Sequence, residues 1–224
     1  MRILPLTATI AIAISCSALS HSVSGQTIGT LIGANIATIS DANRGIADVV
    51  GGAFDKKKRV GLKAGVYLTI PLVGMFSLQP EVFYAQNGVR IQSPAGTNLG
   101  SFDVDLGYVE VPLLLRIDVA GKSPIHPILL AGASGAYRVQ CKLSASTSAS
   151  TLAQDCNANS GSDDPFKKSD YSVVGGAGLA AKLGGVAASL QLRFSQGLTS
   201  IAATDTDTAK PKNRALSVLL GFTF

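Results

Sequence analysis

ALSVLLGFTF, residues Ala215–Phe224, ends the chain on an alternating pattern. Leu216, Val218, Leu220, Phe222 and Phe224 fall on one face, and Ala215, Ser217, Leu219, Gly221 and Thr223 on the other. A period of two is the signature of a strand with two different faces. One face is oily, the other small and mixed, and the strand runs to the last residue, where soluble domains usually end in a frayed polar tail. The question for the rest of the chain is which solvent the oily face meets.

The same grammar recurs upstream. Strands are predicted at Thr27–Ile39, Val60–Ile70, Phe76–Ile91, Val104–Val119, Ile125–Val139, Asp170–Lys182 and Val186–Gly197, and the terminal strand makes eight. Val186–Gly197 is the clearest, with Val186, Ala188, Leu190, Leu192 and Phe194 opposite Ser189, Gln191, Arg193 and Ser195. Ile125–Val139 is too rich in glycine and alanine for its faces to be assigned. Several strands are long enough to cross a bilayer at a tilt, which takes ~9–11 residues.

Connections alternate in length. Pro71–Met75, Ala120–Pro124 and Leu183–Gly185 are short, whereas Ser40–Arg59, Gln92–Asp103, Cys141–Ser169 and Leu198–Lys212 are long and polar. Short turns at one end and long loops at the other are the layout of an outer-membrane barrel. A barrel also leaves no edge strand unpaired in lipid. The expectation is an all-β, eight-stranded antiparallel up-and-down transmembrane β-barrel whose oily face meets lipid.

Composition agrees. Of 224 residues, 46% are apolar and 15% charged, below the ~25% charge usual in soluble domains. The net charge of +5 is modest and scattered apart from one run, which argues against nucleic-acid binding. Residues 1–25 read as a secretory leader, with Arg2, an apolar centre through Ile14, and small residues before a cut after Gly25. A cut nearer Ser20 is the alternative, and a lipoprotein site at Cys16 lacks the leucine usually found three residues before the cysteine. Residues 26–224 then form the barrel domain, and no apolar run in them approaches the ~20 residues of a membrane helix.

FSLQPEVFYAQNG (Phe76–Gly88), YVEVPLLLRI (Tyr108–Ile117), LQLRFSQGLTSI (Leu190–Ile201) and KNRALSVLLGFTF (Lys212–Phe224) resemble the PorT-like outer-membrane β-barrel family of Bacteroidetes-type bacteria. The likeness runs from about Val60 to the end, although this chain has no Trp and only 6% aromatic residues. It implies a bacterial outer-membrane location, with membrane lipid and lipopolysaccharide as surroundings. The terminal Phe224 is similar to the signal by which the barrel-assembly machinery recognises its clients.

Candidates for chemistry are few. GAGLAA, Gly176–Ala181, satisfies a dinucleotide pattern that works only where a strand turns into a helix, yet Leu183-Gly184-Gly185 follows at once. Ser195 has no histidine near it in sequence, and His126, the one histidine beyond the leader, reads as a solvated turn residue beside Pro127. No enzyme, cofactor or metal site is assigned.

The charges opposite the oily face are more informative: Lys63, Glu81, Glu110, Arg116, Lys182 and Arg193 are expected inside. An eight-stranded barrel has an interior just wide enough for side chains, so charges there must pair. A salt-bridged plug is therefore favoured over a narrow porin-like channel. The inverted alternative is a secreted lipocalin-like barrel with the oily face lining a ligand cavity.

Binding is expected, if anywhere, at the long loops, and the function expected is mainly structural or surface-interactive, in a monomer. Lys56, Lys57, Lys58 and Arg59 lie at the foot of the first long segment, placed to hold lipopolysaccharide phosphate or carboxylate, or simply solvated. The tract Lys142–Asp164, rich in Ser, Thr and Ala, reads as a mobile surface loop. Cys141 and Cys156 remain after the leader is removed, on an oxidising side where thiols pair. A disulfide there would add about 3 kcal/mol by the chain-entropy estimate; the alternative is two free thiols.

Overall fold

The computed structural model describes residues 25–39, 55–92, 101–120, 123–146, 151–155, 167–200 and 212–224. Among them nine strands form one antiparallel sheet. They are β1 (Thr27–Ile39), β2 (Asp55–Pro71), β3 (Phe76–Gln92), β4 (Ser101–Asp118), β5 (Ile125–Ser146), β6 (Thr151–Asp155), β7 (Ser169–Leu183), β8 (Val186–Gly197) and β9 (Asn213–Thr223). Strands β1 to β5 pair in sequence, β7 lies beside β5, β8 beside β7 and β9 beside β8. Pairing of β1 with β9 closes the sheet into an eight-stranded ring. The fold is the closed antiparallel barrel that the alternation implied.

The seam deserves its residues. It runs from Gly29↔Thr223 to Ile39↔Asn213, and the Phe224 amide donates to the Ile28 carbonyl at 2.9 Å. Gly33 lies so close to β9 that a Cβ would overlap the Val218 carbonyl, so the approach of the two strands requires the missing side chain.

All three short connections lie at one end. Between β2 and β3, the Leu72 amide donates to the Phe76 carbonyl (2.9 Å) and the Phe76 amide to Val73 (3.1 Å), with Gly74 at φ 62°. The β7–β8 hairpin turns on Gly184-Gly185, with Gly184 at φ 68°, the left-handed backbone a two-residue hairpin needs. Between β4 and β5 the Ser123 amide closes onto the Ala120 carbonyl at 2.9 Å.

The barrel is oily outside and polar within. Leu190, Leu192 and Phe194 of β8 and Leu216, Val218, Leu220 and Phe222 of β9 are exposed, while Ser189, Gln191, Arg193, Ser217 and Leu219 between them are buried. This removes the lipocalin-like alternative, which needs the oily face inward. On β5 the unassigned faces resolve: Ile125, Leu129, Tyr137 and Val139 point out, and His126, Ile128, Leu130, Ser134 and Arg138 point in. Small residues such as Ala131, Gly132 and Ala133 supply little contrast between faces, which hid this from the sequence.

Three expectations change. β2 begins at Asp55 rather than Val60, so Lys56–Arg59 belong to a strand and not to a loop. β5 continues to Ser146, and β6 pairs with its end from Lys142↔Asp155 to Ser146↔Thr151, so part of the presumed loop Lys142–Asp164 is a hairpin. Beyond the apolar band both strand faces meet water, and the ladder continues without the alternation that would betray it. GAGLAA lies wholly in β7, paired with β5 and β8, with no helix after it.

Candidate functional site

The inward residues of β2, β3, β4, β8 and β9 converge at mid-lumen. Arg193 grips Glu81 with both arms, Nη1 donating to Oε2 at 2.6 Å and Nη2 to Oε1 at 2.8 Å. Both side chains are buried, at 4% and 0% exposure. Gln191 Oε1 accepts from Arg193 Nε (3.0 Å), and Gln79 Nε2 donates to Glu81 Oε1 (2.6 Å), so the pair has further partners for its remaining lone pairs and protons. Such satisfaction is what lets a buried ion pair persist. One register step nearer the long-loop end, Lys63 Nζ donates to Glu110 Oε2 at 2.5 Å.

Phe83 stands between the two ion pairs. Its ring centroid lies 4.9 Å from Lys63 Nζ and 5.8 Å from the Arg193 guanidinium carbon, both within cation–π range. Leu31, Tyr67 and Leu219 pack with it, and the Tyr67 hydroxyl meets the Thr223 hydroxyl. The middle of the barrel is thus filled by charge, amide and aromatic groups together. Phe83 shares the inward parity of Glu81, but nothing in the sequence tells that an aromatic on the charged face will meet two cations, since those come from β2 and β8.

At the short-turn end the lumen opens into a vestibule of ≈ 960 Å³. Arg116 makes two bonds to Asp118, Nε to Oδ2 at 2.9 Å and Nη2 to Oδ1 at 2.7 Å, and a third from Nη1 to Gln79 Oε1 at 3.3 Å. His126 is a correction: it is buried, not solvated. Its Nε2 lies 3.0 Å from Asp118 Oδ1 and its Nδ1 3.1 Å from the Ser123 carbonyl, which can only accept. The inward register of β5 carries it into the lumen, where Asp118 replaces water. A hydrogen-bonded chain therefore runs from the β4–β5 turn through Asp118, Arg116, Gln79 and Glu81 to Arg193. Lys182 lies apart from it, exposed on the vestibule wall.

At the long-loop end Asp170 accepts from Thr199 Oγ1 (2.7 Å) and Asn213 Nδ2 (2.8 Å), tying β7 to the residues that flank the last long segment. Asn35 joins β1 to its neighbours, accepting from Ser217 Oγ at 2.8 Å and donating to Asn87 Oδ1 at 2.5 Å. Ser195 lines a narrow cavity of ≈ 20 Å³ here, at the opposite end from His126, so no serine–histidine pair forms between them. Among the described residues no group of three or more His, Cys, Asp or Glu is arranged to hold a metal.

The remaining expected site residues fall at the margins. Lys56 pairs in register with Ile91, Lys57 with Arg90 and Lys58 with Val89, and Arg59 with Ala37; their side chains lie outside the description. Cys141 sits on β5 opposite Leu106 and is disulfide-bonded. Cys156 and residues 1–24, which hold nearly all of the expected leader, lie outside the described residues.

A family model described as "Outer membrane protein beta-barrel domain" matches residues 21–203. The chain belongs to that family. As an outer-membrane barrel, its strands cross the bacterial outer membrane, and its described residues include no helix long and apolar enough to do so. Solved structures share the architecture. The outer-membrane protein OprG of Pseudomonas aeruginosa aligns with a TM-score of 0.50 and 14% identity over 90% of this chain and 96% of its own. Neisserial surface protein A aligns at 0.44 and 12% over 90% and 100%. Ail of Yersinia pestis, crystallised with the heparin analogue sucrose octasulfate, aligns at 0.41 and 12% over 89% and 99%. At these identities the likeness concerns the fold. A comparison with curated proteins gives no match. In barrels of this kind the short turns are periplasmic and the long loops extracellular. The vestibule of the outer-membrane barrel accordingly opens to the periplasm.

Proposed function

We propose that this outer-membrane barrel has a mainly structural or surface-interaction role, binding partners through its extracellular loops, as a monomer and without a catalytic step. The filled mid-lumen carries the reading: with Glu81–Arg193, Lys63–Glu110 and Phe83 occupying the bore, variable contact is left to the outside. The sequence motifs favour the PorT-like branch of the family. Residues 1–25 serve as the cleaved leader, and Phe224 as the mark read by the barrel-assembly machinery; it is 70% exposed beyond β9. Lys56–Arg59, on the β2 extension beyond the apolar band, hold lipopolysaccharide phosphates.

Cys141 and Cys156 form the disulfide that staples the β5–β6 hairpin. Lys142, next to Cys141, pairs with Asp155, next to Cys156, which supports that partnership. Two measurements test the functional reading. In planar bilayers the purified barrel passes no steady unitary current; a reproducible single-channel conductance would replace this reading with solute transport. On cells, replacing residues 40–54 and 201–211 with short turns leaves assembly intact and abolishes any surface adherence that the intact protein confers. Adherence that persists without those segments would count against loop-borne binding.

A further inference from the structure

The outer wall is interrupted where the apolar face of β3, β4 and β5 ends toward the long loops. Val82 of β3 and Val139 of β5 are exposed on the lipid side. Tyr84, one outward step beyond Val82, has the amphipathic ring found at the headgroup level. Between Gly107 and Tyr108 the β4–β5 ladder slips: Tyr108 pairs with Arg138 and Gly107 with Gln140, leaving Val139 as the extra residue of a bulge. Simple alternation would send Gln140 into the lumen with Arg138. The bulge instead turns it out beside Val139, as bulges do when they re-aim a side chain. Opposite it Gly107 has no side chain, and a Cβ there would come 2.9 Å from the Tyr84 hydroxyl and 3.0 Å from the Gln140 Cβ. Bulge and glycine together leave a dent of ≈ 210 Å³ in the wall, bounded by Tyr84, Gln86, Asp105, Gly107, Gln140 and Lys142.

The hydrogen-bonding capacity of this dent is half used. The Tyr84 hydroxyl donates to Gln140 Oε1 at 3.1 Å and the Leu62 amide to Gln86 Oε1 at 3.2 Å, so both amide oxygens are taken. Among the described residues Gln86 Nε2, Gln140 Nε2 and Lys142 Nζ have no bonded partner, and all three side chains are exposed. Three donors, one of them cationic, match an anionic oxygen, and charge-assisted bonds are the stronger kind. Asp105, in register with Lys142 across the ladder, adds an acceptor on the same wall. A bare phosphate would be repelled by that carboxylate. A phosphate carried on a hydroxyl-bearing ring satisfies both groups, its hydroxyls donating to Asp105 while its phosphate takes the amides and the ammonium. At this level, on the long-loop side, the surroundings of the wall are the headgroups of the extracellular leaflet.

We propose that this dent docks the phosphorylated sugar headgroup of one lipopolysaccharide molecule. Lys142, Gln86 and Gln140 hold the phosphate, Asp105 a ring hydroxyl, and the acyl chains run down past Val82 and Val139. The site rests on the same reading that lipopolysaccharide surrounds the barrel, but it lies on β3–β5, apart from Lys56–Arg59 of β2.

The test uses the purified barrel in non-ionic detergent, titrated with bisphosphorylated lipid A or with phosphatidylglycerol, with bound lipid counted by native mass spectrometry. Folding of every variant is verified by altered gel mobility on boiling. One lipid A is expected to bind in preference to phosphatidylglycerol. Lys142→Gln and Gln86→Leu are each expected to weaken it about tenfold, the loss of one charge-assisted bond. Gly107→Ala, which fills the dent, is expected to act likewise, with Gln140→Leu in its place should that variant fail to assemble. The preferred lipid is expected to persist when Lys56, Lys57, Lys58 and Arg59 are all replaced by Gln. Unchanged lipid A affinity in Lys142→Gln and Gln86→Leu would overturn the proposal. Equal binding of phosphatidylglycerol would reduce the site to general attraction for anions and overturn the sugar assignment. A loss confined to the Lys56–Arg59 replacement would move the lipid to β2 and overturn this site while leaving the β2 contact standing.

Discussion

Glu81 and Arg193 sit where neither can be hydrated, so each depends on the other. Removing one partner of a buried pair leaves an uncompensated ion, at a cost of about 3–5 kcal/mol. Glu81→Ala is expected to lose that much in denaturant unfolding from lipid vesicles. The double variant Glu81→Leu/Arg193→Met is expected to recover most of it, because apolar groups of similar volume need no partner. Equal losses in both would mean that shape rather than charge is what the site supplies. Phe83 adds to the same balance by placing its ring face toward two cations. Phe83→Leu keeps most of the apolar volume and is expected to cost about 0.5–2 kcal/mol, the cation–π share, in the same assay.

Among the strands, β8 and β9 were legible because lipid outside and polar groups inside give every second residue opposite chemistry. The inward placement of Lys63, Glu81, Glu110, Arg116 and Arg193 follows from the same parity. Partnerships were not legible, since which inward charge meets which depends on register between strands far apart in sequence: Arg193 finds Glu81 across the lumen, and Arg116 settles on Asp118 two residues away. His126 was misjudged for a related reason, since a strand with little contrast between its faces hides its parity. The extensions of β2 and β5 and the whole of β6 were invisible where both faces meet water. Two tests belong to these elements. Gly33→Ala is expected to lower stability by about 1–3 kcal/mol, as overpacking does, and to shrink the heat-modifiable fraction, because the new methyl meets the β9 backbone. Alkylation of the non-reduced protein is expected to add no mass at Cys141 or Cys156, and two adducts after reduction; two adducts before reduction would rule the staple out.

The whole molecule should behave as an integral barrel: recovered with the outer membrane, resistant to alkaline carbonate, and changed in gel mobility by boiling. Quantitative recovery as a soluble periplasmic protein would contradict a membrane-embedded belt. The seam of β1 with β9 carries a further consequence, for the route by which this state is reached. Ser217 bonds to Asn35 across 182 residues of chain, and β9 follows every other strand of the ring in synthesis. Contacts of such sequence separation are slow to form. Until they do, the chain carries two raw strand borders that water can solvate but hydrocarbon cannot. Insertion and closure are thus coupled, and a half-built ring has no comfortable solvent on either side of the membrane surface. The journey across the periplasm is consequently the most aggregation-prone interval in this protein's life, and escort during it is as much a requirement of the topology as of the cell.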